Sequence, residues 1–306
     1  MLDVLGISKQ FGETKALDKL SFSVTEGKAF GLLGRNGAGK TTAIRIIMNI
    51  FKADAGSVYI DGETAGKSKR KIGYLPEERG LYQKRVVQEQ MVYIGMLRGL
   101  TKKCAIRNTR NRLEELEAIE YSKRKLDTLS KGNQQKIQLA VALIADPDIL
   151  ILDEPFSGLD PVNAILLKNI VRNQVNLGRT VIFSSHQMPL VEEFCDEICI
   201  VDKGRAVLSG SLSHIKRSYP RNIYYVELEE HFSENLAMNV KSALGTICRS
   251  ITIEGRGINV ELSDRSKRIA IFDALRALGH APEVLMVKEP SLEEIFVEYV
   301  GRNKEG

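Results

Sequence analysis

The sequence predicts an α/β fold built around a parallel sheet, with an antiparallel β subdomain, a helical subdomain and a small C-terminal α+β domain. Three observations predict it. Two apolar runs, 29–33 and 149–152, have the length and composition of parallel strands that are buried on both faces. Residues from about 85 to 128 are polar and helical in pattern, and beyond Pro220 strand patterns alternate with helical ones.

The first segment, residues 1 to about 28, alternates apolar and polar positions in short runs, as at Phe22 and Val24. Residues 57–62 have the pattern of a hairpin edge strand that ends in Asp61-Gly62. The sequence therefore predicts an antiparallel β layer that flanks the parallel sheet.

A glycine-rich loop follows the strand at 29–33 and precedes a helical pattern. It reads Gly34-Arg35-Asn36-Gly37-Ala38-Gly39-Lys40-Thr41-Thr42. The glycines let backbone N–H groups turn toward phosphate oxygens, and the helix N-terminus adds the positive end of its dipole. Lys40 would reach the β and γ phosphates, and the Thr41 hydroxyl would bind Mg²⁺. The loop predicts a P-loop NTPase core that binds ATP or GTP.

Two adjacent acids, Asp153 and Glu154, end the buried strand at 149–152. Ligands of doubly wound sheets lie at this end of the strands. Because successive strand side chains point to opposite sides, the two acids cannot do the same work. Asp153 is predicted to hold Mg²⁺ through its water shell, and Glu154 to act as general base toward the attacking water.

The helical segment ends in Leu129-Ser130-Lys131-Gly132-Asn133-Gln134-Gln135-Lys136. From the residues alone, Ser130 caps a helix whose free N–H groups can bind an anion, or it is a plain helix cap. The stretch resembles the signature of the ABC ATPases, the ATP-binding cassettes of ABC transporters. Lys131 and Asn133 stand where the common form has glycine and glutamine. The resemblance implies that Ser130 and Gly132 meet the γ-phosphate of ATP.

The same resemblance assigns three further positions. Asp160, in Ser157-Gly158-Leu159-Asp160-Pro161, matches the D-loop that helps join two cassettes. His186, after the strand at 180–185, matches the switch histidine that contacts the γ-phosphate and the water; the alternative is a surface histidine. Phe11 matches the aromatic residue that stacks on adenine, the alternative being a core phenylalanine.

Glu77 stands in the segment Ile72-Gly73-Tyr74-Leu75-Pro76-Glu77-Glu78-Arg79, where most family members have glutamine. A carboxylate is a harder metal ligand than an amide, so the resemblance implies that Glu77 approaches Mg²⁺. The replacement of glutamine by glutamate at this position would affect how the site senses a membrane partner. This segment is also similar to one branch of exporter ATPases, which includes sodium-extruding and drug-export systems.

Composition restricts the class of protein further. The sequence has no run of about 18 apolar residues and no charged N-terminal region before an apolar core, so neither a membrane span nor a secretory signal is predicted. Cys104, Cys195, Cys199 and Cys248 lack paired spacing, which indicates reduced structural cysteines of a cytosolic protein.

Charge is distributed unevenly along the chain. Residues 1–217 carry 33 basic and 25 acidic side chains, and residues 218–306 carry 11 and 14. Much of the basic excess lies between Arg98 and Lys125 among glutamates at helical spacing, which favours a solvated helix surface. Anionic lipid or nucleic acid is the alternative. Because Tyr121 is the single aromatic residue among these positions, too few for a stacking surface, no nucleic acid is expected.

The C-terminal segment has the order β-α-β-β-α-β, which predicts a ferredoxin-like accessory domain. The strands are predicted at 223–228, 247–253, 258–262 and 284–287, and the helices at 234–244, 266–278 and 291–300. The segment contains no phosphate loop or metal-ligand cluster. Its ending, Ser291-Leu292-Glu293-Glu294-Ile295-Phe296, resembles the tail of the same exporter branch.

Together these features predict a cassette at 1–217, whose helical subdomain covers about 85–128, and a regulatory domain at 218–306. The resemblance implies an ATPase that works with ATP and Mg²⁺ as a dimer with a second cassette, either identical or similar. It would power export of a sodium ion, drug or similar substrate through a separate multi-pass permease, on the cytoplasmic face of the membrane. The alternative is a soluble ABC ATPase that acts on ribosomes or nucleic acid.

Overall fold

Three β-sheets and the helices around them make up the computed structural model, which describes residues 1–78, 80–157, 159–219 and 222–302. The described chain forms two units. One comprises residues 1–212 with the last helix from Phe296 onward, and the other comprises residues 213–295. The predicted domain boundary at 217/218 stays a prediction.

The strands are β1 (Leu2–Phe11), β2 (Thr14–Val24), β3 (Ala29–Leu33), β4 (Ala55–Ile60), β5 (Glu63–Thr64), β6 (Ile72–Leu75), β7 (Ile149–Asp153), β8 (Thr180–Ser185), β9 (Glu197–Asp202), β10 (Arg205–Ser211), β11 (Ile223–Glu227), β12 (Cys248–Glu254), β13 (Gly257–Leu262) and β14 (Val284–Val287). The α-helices are α1 (Lys40–Ile47), α2 (Val87–Leu97), α3 (Lys102–Glu115), α4 (Lys131–Leu143), α5 (Pro161–Asn176), α6 (Met188–Phe194), α7 (Leu212–Ser218), α8 (Glu234–Leu244), α9 (Ile269–Ala277) and α10 (Leu292–Arg302).

The central sheet of the first unit has the strand order β10-β9-β3-β8-β7-β6. Its pairs are parallel except β9 with β10. All residues of β3, β7 and β8 are buried, as expected for strands covered on both faces. The parallel core predicted from the strands before Gly34, Asp153 and His186 is therefore confirmed. Strands β6, β9 and β10 extend this sheet beyond the strands predicted for it.

The antiparallel layer has the order β2-β1-β4-β5, and the hairpin predicted at 57–62 is formed by β4 and β5. Helix α1 lies in the core that this layer shares with the central sheet. There Ile44 and Ile47 belong to one buried cluster with Leu20, Phe22 and Phe30. Because these apolar residues of α1 are buried, the position of the helix is fixed, and with it the end of the phosphate loop at Lys40.

The predicted helical subdomain contains α2 and α3, which are followed by two short 3₁₀ turns and by α4. Thr101 caps α3 by accepting a hydrogen bond from the Cys104 N–H at 3.3 Å. Two basic side chains of α3 are paired, Arg110 with Glu114 at 2.8 Å and Arg112 with Glu115 at 2.5 Å. The exposed Arg110–Glu114 pair agrees with the interpretation of the cluster as a solvated helix surface, whereas Arg112 is only 16% exposed.

The second unit contains an antiparallel sheet of order β12-β13-β11-β14 with α8 and α9. Numbered within the unit, this order is 2-3-1-4, so the first strand lies between the third and the fourth. The predicted β-α-β-β-α-β ferredoxin-like arrangement is confirmed, with small differences in element ends. Its core joins residues of the sheet, such as Val226 and Val260, to Val240 and Leu275 of the helices.

No helix in the described part of the chain is long and apolar enough to cross a membrane. The four cysteines are free. Cys195 is the C-cap of α6 and Cys199 lies in β9, so a change from helix to strand separates them.

Candidate active site

Three neighbouring strands of the central sheet end at the same edge and carry the predicted site residues. Strand β8 lies between β3 and β7, with Ser185 opposite Leu33 and Ser184 opposite Asp153. The phosphate loop follows β3, Glu154 follows β7 and His186 follows β8. The parallel pairing therefore gathers segments that lie far apart in the sequence.

The phosphate loop depends on two glycines that no other residue could replace without movement. Gly34 has φ 154°, and a Cβ there would lie 2.3 Å from the Val201 carbonyl oxygen. Gly39 has φ 107° and would place a Cβ 2.6 Å from the Ala16 carbonyl oxygen. Gly39 is also the N-cap of α1, so the loop passes directly into a helix N-terminus. Arg35, Asn36 and Gly37 at the loop tip are exposed, whereas Ala38 is buried.

Lys40 is buried and turned back over the loop. Its Nζ donates to the carbonyl oxygens of Gly34 at 2.7 Å and Arg35 at 3.3 Å. The same atom lies 3.5 Å from Glu154 Oε1. Lys40 and Glu154 are each only 6% exposed, so two opposite charges lie together out of solvent. The structure thus brings together the predicted phosphate ligand and the predicted general base.

Asp153 lies beside Thr41 at the start of α1. The Thr41 hydroxyl is 3.4 Å from Asp153 Oδ1, while Oδ2 is buried and has no hydrogen-bond partner among the described residues. Burial raises the pKa of Asp153, against the Ser184 hydrogen bond that lowers it. A hydroxyl and a carboxylate with a free oxygen are ligands that suit Mg²⁺. Thr41 and Asp153 therefore fit the predicted metal site.

The described residues contain no cluster of three or more His, Cys, Asp or Glu side chains that could hold a metal ion by itself. Thr42, the last residue of the predicted loop, is half-buried in the first turn of α1.

Glu154 faces His186. The Nδ1 atom of His186 lies 3.0 Å from Glu154 Oε2, and the His186 side chain is 44% exposed. Glu154 has a left-handed backbone, with φ 49°, which is uncommon outside glycine. The Glu154–His186 contact joins the ends of β7 and β8 above the phosphate loop.

Ser184 is a site residue that the sequence analysis did not single out. Its hydroxyl donates to Asp153 Oδ1 at 2.5 Å and accepts from the Glu154 N–H at 3.1 Å. Ser184 is fully buried, so this one hydroxyl fixes both acids. In the sequence, the feature that indicates this role is the pair of serines, Ser184 and Ser185, at the end of the apolar strand 180–185.

Phe11 is 45% exposed at the end of β1, so the alternative of a core phenylalanine is wrong. Its ring meets Phe51 edge-on at a centroid distance of 5.7 Å, and Lys9 Nζ lies 5.6 Å from its centroid. An exposed ring supported from the side suits stacking on a base. Its role toward adenine stays a prediction.

Glu77 is exposed and emerges one strand further along the sheet. Leu75 of β6 pairs with Leu152 of β7. Glu77 and Glu154 each lie two residues beyond this pair, at corresponding positions past the ends of neighbouring strands. Tyr74 is half-buried nearby, where burial above all, with a contribution from Asp153, raises its pKa to about 12. The role of Glu77 toward Mg²⁺ stays a prediction.

The signature residues lie on α4, apart from the group around Lys40. Ser130 caps this helix by accepting from the Asn133 N–H at 3.4 Å, and both Ser130 and Lys131 are exposed. Gly132 is buried. Asp160 is the exposed N-cap of α5, where it accepts from the Asn163 N–H at 3.0 Å. Gly158 of the predicted D-loop lies outside the described residues.

Known proteins resemble the chain over nearly its whole length. The ABC transporter family model matches residues 17–157, and the model of the C-terminal domain of DrrA1-3-like ATP-binding proteins matches residues 210–300. An uncharacterized ABC transporter ATP-binding protein of Bacillus subtilis is 41% identical over 98% of this chain and 99% of its own length.

Two relatives have names that describe a process. The linearmycin resistance ATP-binding protein of Bacillus subtilis is 30% identical over 99% of each chain. A Nod factor export ATP-binding protein of Ralstonia nicotianae is 29% identical over 99% of this chain and 94% of its own. Among solved structures, an ATP-binding subunit of an ABC transporter has a TM-score of 0.65 and 29% identity, covering 71% of this chain and 92% of that one.

Proposed function

This chain belongs to the ATP-binding subunits of ABC transporters, and we propose that its ATPase activity powers export of a substrate through a separate membrane permease. The observation that carries the catalytic part is the group of Lys40, Asp153, Glu154 and His186 at one edge of the sheet. The relatives named for antibiotic resistance and Nod factor export support the direction of transport. Sodium ions, drugs and similar compounds are the proposed range of substrates.

Phosphate binding is the work of the loop and of Lys40. The N–H groups of the loop and of the first turn of α1 would surround the β and γ phosphates. Lys40 would leave Glu154 and the loop carbonyls to meet the phosphate oxygens, since a charge-assisted bond to phosphate is the stronger contact. Exchange of partners by Lys40 would then free Glu154 for the attacking water.

Thr41 and Asp153 would hold Mg²⁺, with Glu77 approaching from the neighbouring strand. When bound, Mg²⁺ would neutralise phosphate charge. Ser184 donates to Asp153 Oδ1, so the unpartnered Oδ2 would be available to the ion or to its water shell.

Hydrolysis requires removal of a proton from the attacking water. In the proposed step, Glu154 accepts that proton while the water oxygen bonds to the γ-phosphorus. The bond from that phosphorus to the β–γ bridging oxygen breaks, and ADP keeps its electron pair. His186 is positioned by Glu154 at 3.0 Å and would contact the γ-phosphate and the water.

ATP would be enclosed by two chains. Ser130 and Gly132 lie on a different element from Lys40, and Ser130 is exposed at the N-terminus of α4. A helix N-terminus with a serine cap suits an anion brought by a second chain. We therefore propose a dimer with an identical or similar cassette, in which Phe11 stacks on adenine and Asp160 contacts the second chain.

The proposed permease contact lies near the segment that contains Glu77. A groove of about 440 Å³ is lined by Tyr82, Arg85, Glu89, Gln90 and Tyr93. Tyr82 and Tyr93 are 63% and 53% exposed. Large exposed aromatic residues beside charged ones are typical of protein interfaces. We propose that a cytoplasmic segment of the permease occupies this groove and that the chain lies on the cytoplasmic face of the membrane.

Export is tested by co-expression with a candidate multi-pass membrane protein chosen from the genes next to that of this chain. Inside-out vesicles that contain both proteins should accumulate ²²Na⁺ or a fluorescent drug when ATP and Mg²⁺ are added, and should not do so with the Glu154→Gln chain. Co-purification of the wild-type chain with ribosomes or DNA, together with failure to bind the membrane protein, would support the soluble alternative and overturn export.

A further inference from the structure

Helix α4 is bonded to the segment that directly follows Glu154 in the same chain. The Gln135 side-chain amide donates a hydrogen bond from Nε2 to the backbone carbonyl of Pro155. Proline has no N–H, so this carbonyl is the single backbone hydrogen-bonding group at that position. The bond therefore holds the peptide unit next to Glu154 from the side of α4.

A second contact joins α4 to the far end of the same segment. A Cβ on Gly132 would lie 2.8 Å from Asn163 Nδ2 and 3.4 Å from Asp160 Oδ2. Asn163 is fixed in turn because its Nδ2 donates to the same Asp160 carboxylate. The first turns of α4 thus contact both ends of the segment from Pro155 to Asn163.

Glu154 is held from two directions. On the sheet side, its N–H donates to Ser184 Oγ at 3.1 Å. On the other side, its carbonyl accepts from the Ser157 N–H at 3.1 Å, and Gln135 holds the next carbonyl, that of Pro155. A residue with φ 49° needs such support, since this backbone region is sparsely populated outside glycine.

We propose that Gln135 is a positioning residue that couples the two ATP sites of the dimer. The N-terminus of α4, at Ser130, would meet the ATP bound by the second chain, whereas Gln135 on the same helix holds the turn that carries Glu154 of its own site. Movement of α4 toward the second chain's phosphate therefore orients Glu154 in its own chain. The inference rests on the proposed dimer and names the intrachain link through which the sites communicate.

The remaining contacts of α4 supply a matched control. Asn108 of α3 donates from Nδ2 to the Ile144 carbonyl at 2.9 Å, at the opposite end of α4. Like Gln135, it is a half-buried amide that donates to a backbone carbonyl. Asn108→Leu removes a bond of the same chemical kind without touching the Glu154 turn.

Three variants in the full-length chain test the bond. Gln135→Glu keeps the shape but removes the donor, and should lower kcat for ATP about five- to tenfold, the effect of one lost hydrogen bond. The KM for ATP should stay within about twofold, because Lys40 and the loop are unchanged. Gln135→Lys, which restores a donor, and Asn108→Leu should both keep kcat within about twofold. The Hill coefficient for ATP should fall toward one in Gln135→Glu alone.

Mixed dimers with two affinity tags separate positioning from simple phosphate binding. One chain carries Glu154→Gln, so only the site that uses Glu154 of the other chain is active. Placing Gln135→Glu on the chain with the intact Glu154 should lower turnover about five- to tenfold. Placing it on the Glu154→Gln chain, whose Ser130 serves the active site, should change turnover less than about twofold.

The opposite pattern, or equal losses in both placements, would show that Gln135 only supports phosphate binding by α4, and would overturn the inference. Equal losses in Gln135→Glu and Gln135→Lys would also overturn it, since they would indicate a packing role. If the wild-type chain neither dimerised nor hydrolysed ATP, the proposed function itself would be wrong, and the inference with it.

Discussion

The two units of the chain differ in what they bury. In the described residues, every buried Asp, Glu, Lys, Gln, Ser and Thr side chain belongs to the first unit. The core of the second unit is made of apolar residues such as Val226, Val240 and Val260, together with the ring of Tyr224. Each unit has a sheet with helices packed on it, so architecture alone does not explain the difference.

The difference shows that the first unit contains the groups whose burial is energetically unfavourable. Burying a charge is unfavourable unless it is paired, and the first unit buries Lys40, Asp153 and Glu154 within one small region. Asp153 Oδ2 lacks a hydrogen-bond partner among the described residues, whereas Glu154 Oε1 is paired with Lys40 Nζ at 3.5 Å. A buried polar atom without a partner is typical of a site that awaits a ligand. Four predictions test whether chemistry and stability separate in this way.

The largest effect is expected at Glu154. If it is the general base, Glu154→Gln should lower ATP turnover about 10²- to 10⁴-fold, because the amide cannot accept the proton of the attacking water. ATP binding should persist, and the variant should accumulate as an ATP-bound dimer in size-exclusion chromatography. Turnover close to that of the wild-type protein would remove Glu154 from this role.

A smaller effect is expected at Lys40. Lys40→Ala should weaken ATP binding about 10- to 100-fold, since it deletes a charge-assisted contact to phosphate. Fluorescent-nucleotide titration measures the change. Lys28→Ala, which removes a partly exposed ion pair with Glu197 at 3.2 Å beside the opposite end of β3, is the matched lysine control and should leave the affinity unchanged. Equal affinities of the wild-type and Lys40→Ala chains would contradict the assignment.

Asp153→Asn should make the metal-free protein more stable while impairing Mg²⁺-dependent hydrolysis. Burial raises the pKa of Asp153 in the folded chain above its ordinary value. The folded state therefore holds this proton to higher pH than the unfolded chain does, and wild-type stability falls as the pH rises from the unfolded to the folded pKa. The variant lacks this loss, so its melting midpoint should be higher than that of the wild-type protein at pH 7.

The stability gain of Asp153→Asn should shrink as the pH falls toward 4, where the wild-type carboxyl is increasingly protonated. Differential scanning calorimetry in EDTA at several pH values measures it. A variant that is less stable than the wild-type protein at pH 7 would show that the Asp153 carboxylate stabilises the fold, and that its burial carries no cost in stability.

The smallest effect on catalysis is expected from changes in the second unit. A Cβ on Gly257 would lie 2.2 Å from the Val226 carbonyl oxygen, so Gly257→Ala should lower the melting temperature of this unit. Gly255→Ala, where φ is 59° but no atom lies within 4 Å, is the milder control. Basal ATP hydrolysis should change less than about twofold in both, because every proposed catalytic residue lies in the first unit. A tenfold loss of hydrolysis in Gly257→Ala would show that the units are not separable.

Local patterns in the sequence were sufficient for several parts of the structure. The phosphate loop and the acids at 153 and 154 are consecutive residues whose context, a strand followed by a loop, is visible in the sequence. The second unit was also predicted correctly as β-α-β-β-α-β, because its strands and helices are short, regular and separated by turn residues. Both depend on neighbours along the chain.

Features that depend on distant parts of the chain were not predictable in the same way. The proximity of Lys40 and Glu154 depends on the order of β3, β8 and β7 in the sheet, which no local pattern specifies. Ser184 became visible as a support of both acids only when β8 was placed beside β7. Strand β10 is mostly exposed or half-buried, so it lacks the apolar run that identifies a central strand.

The position of β8 between β3 and β7 also has a consequence for synthesis on the ribosome. A nascent chain that ends before residue 180 already contains the phosphate loop and both acids, but not the strand that separates and aligns them. The contacts between β3 and β8 span about 150 residues, and such non-local pairing is slow to form. ATP affinity should therefore be acquired late in translation, only after His186 has left the exit tunnel. Until then, the exposed edges of β3 and β7 would make the unfinished chain a substrate for chaperones.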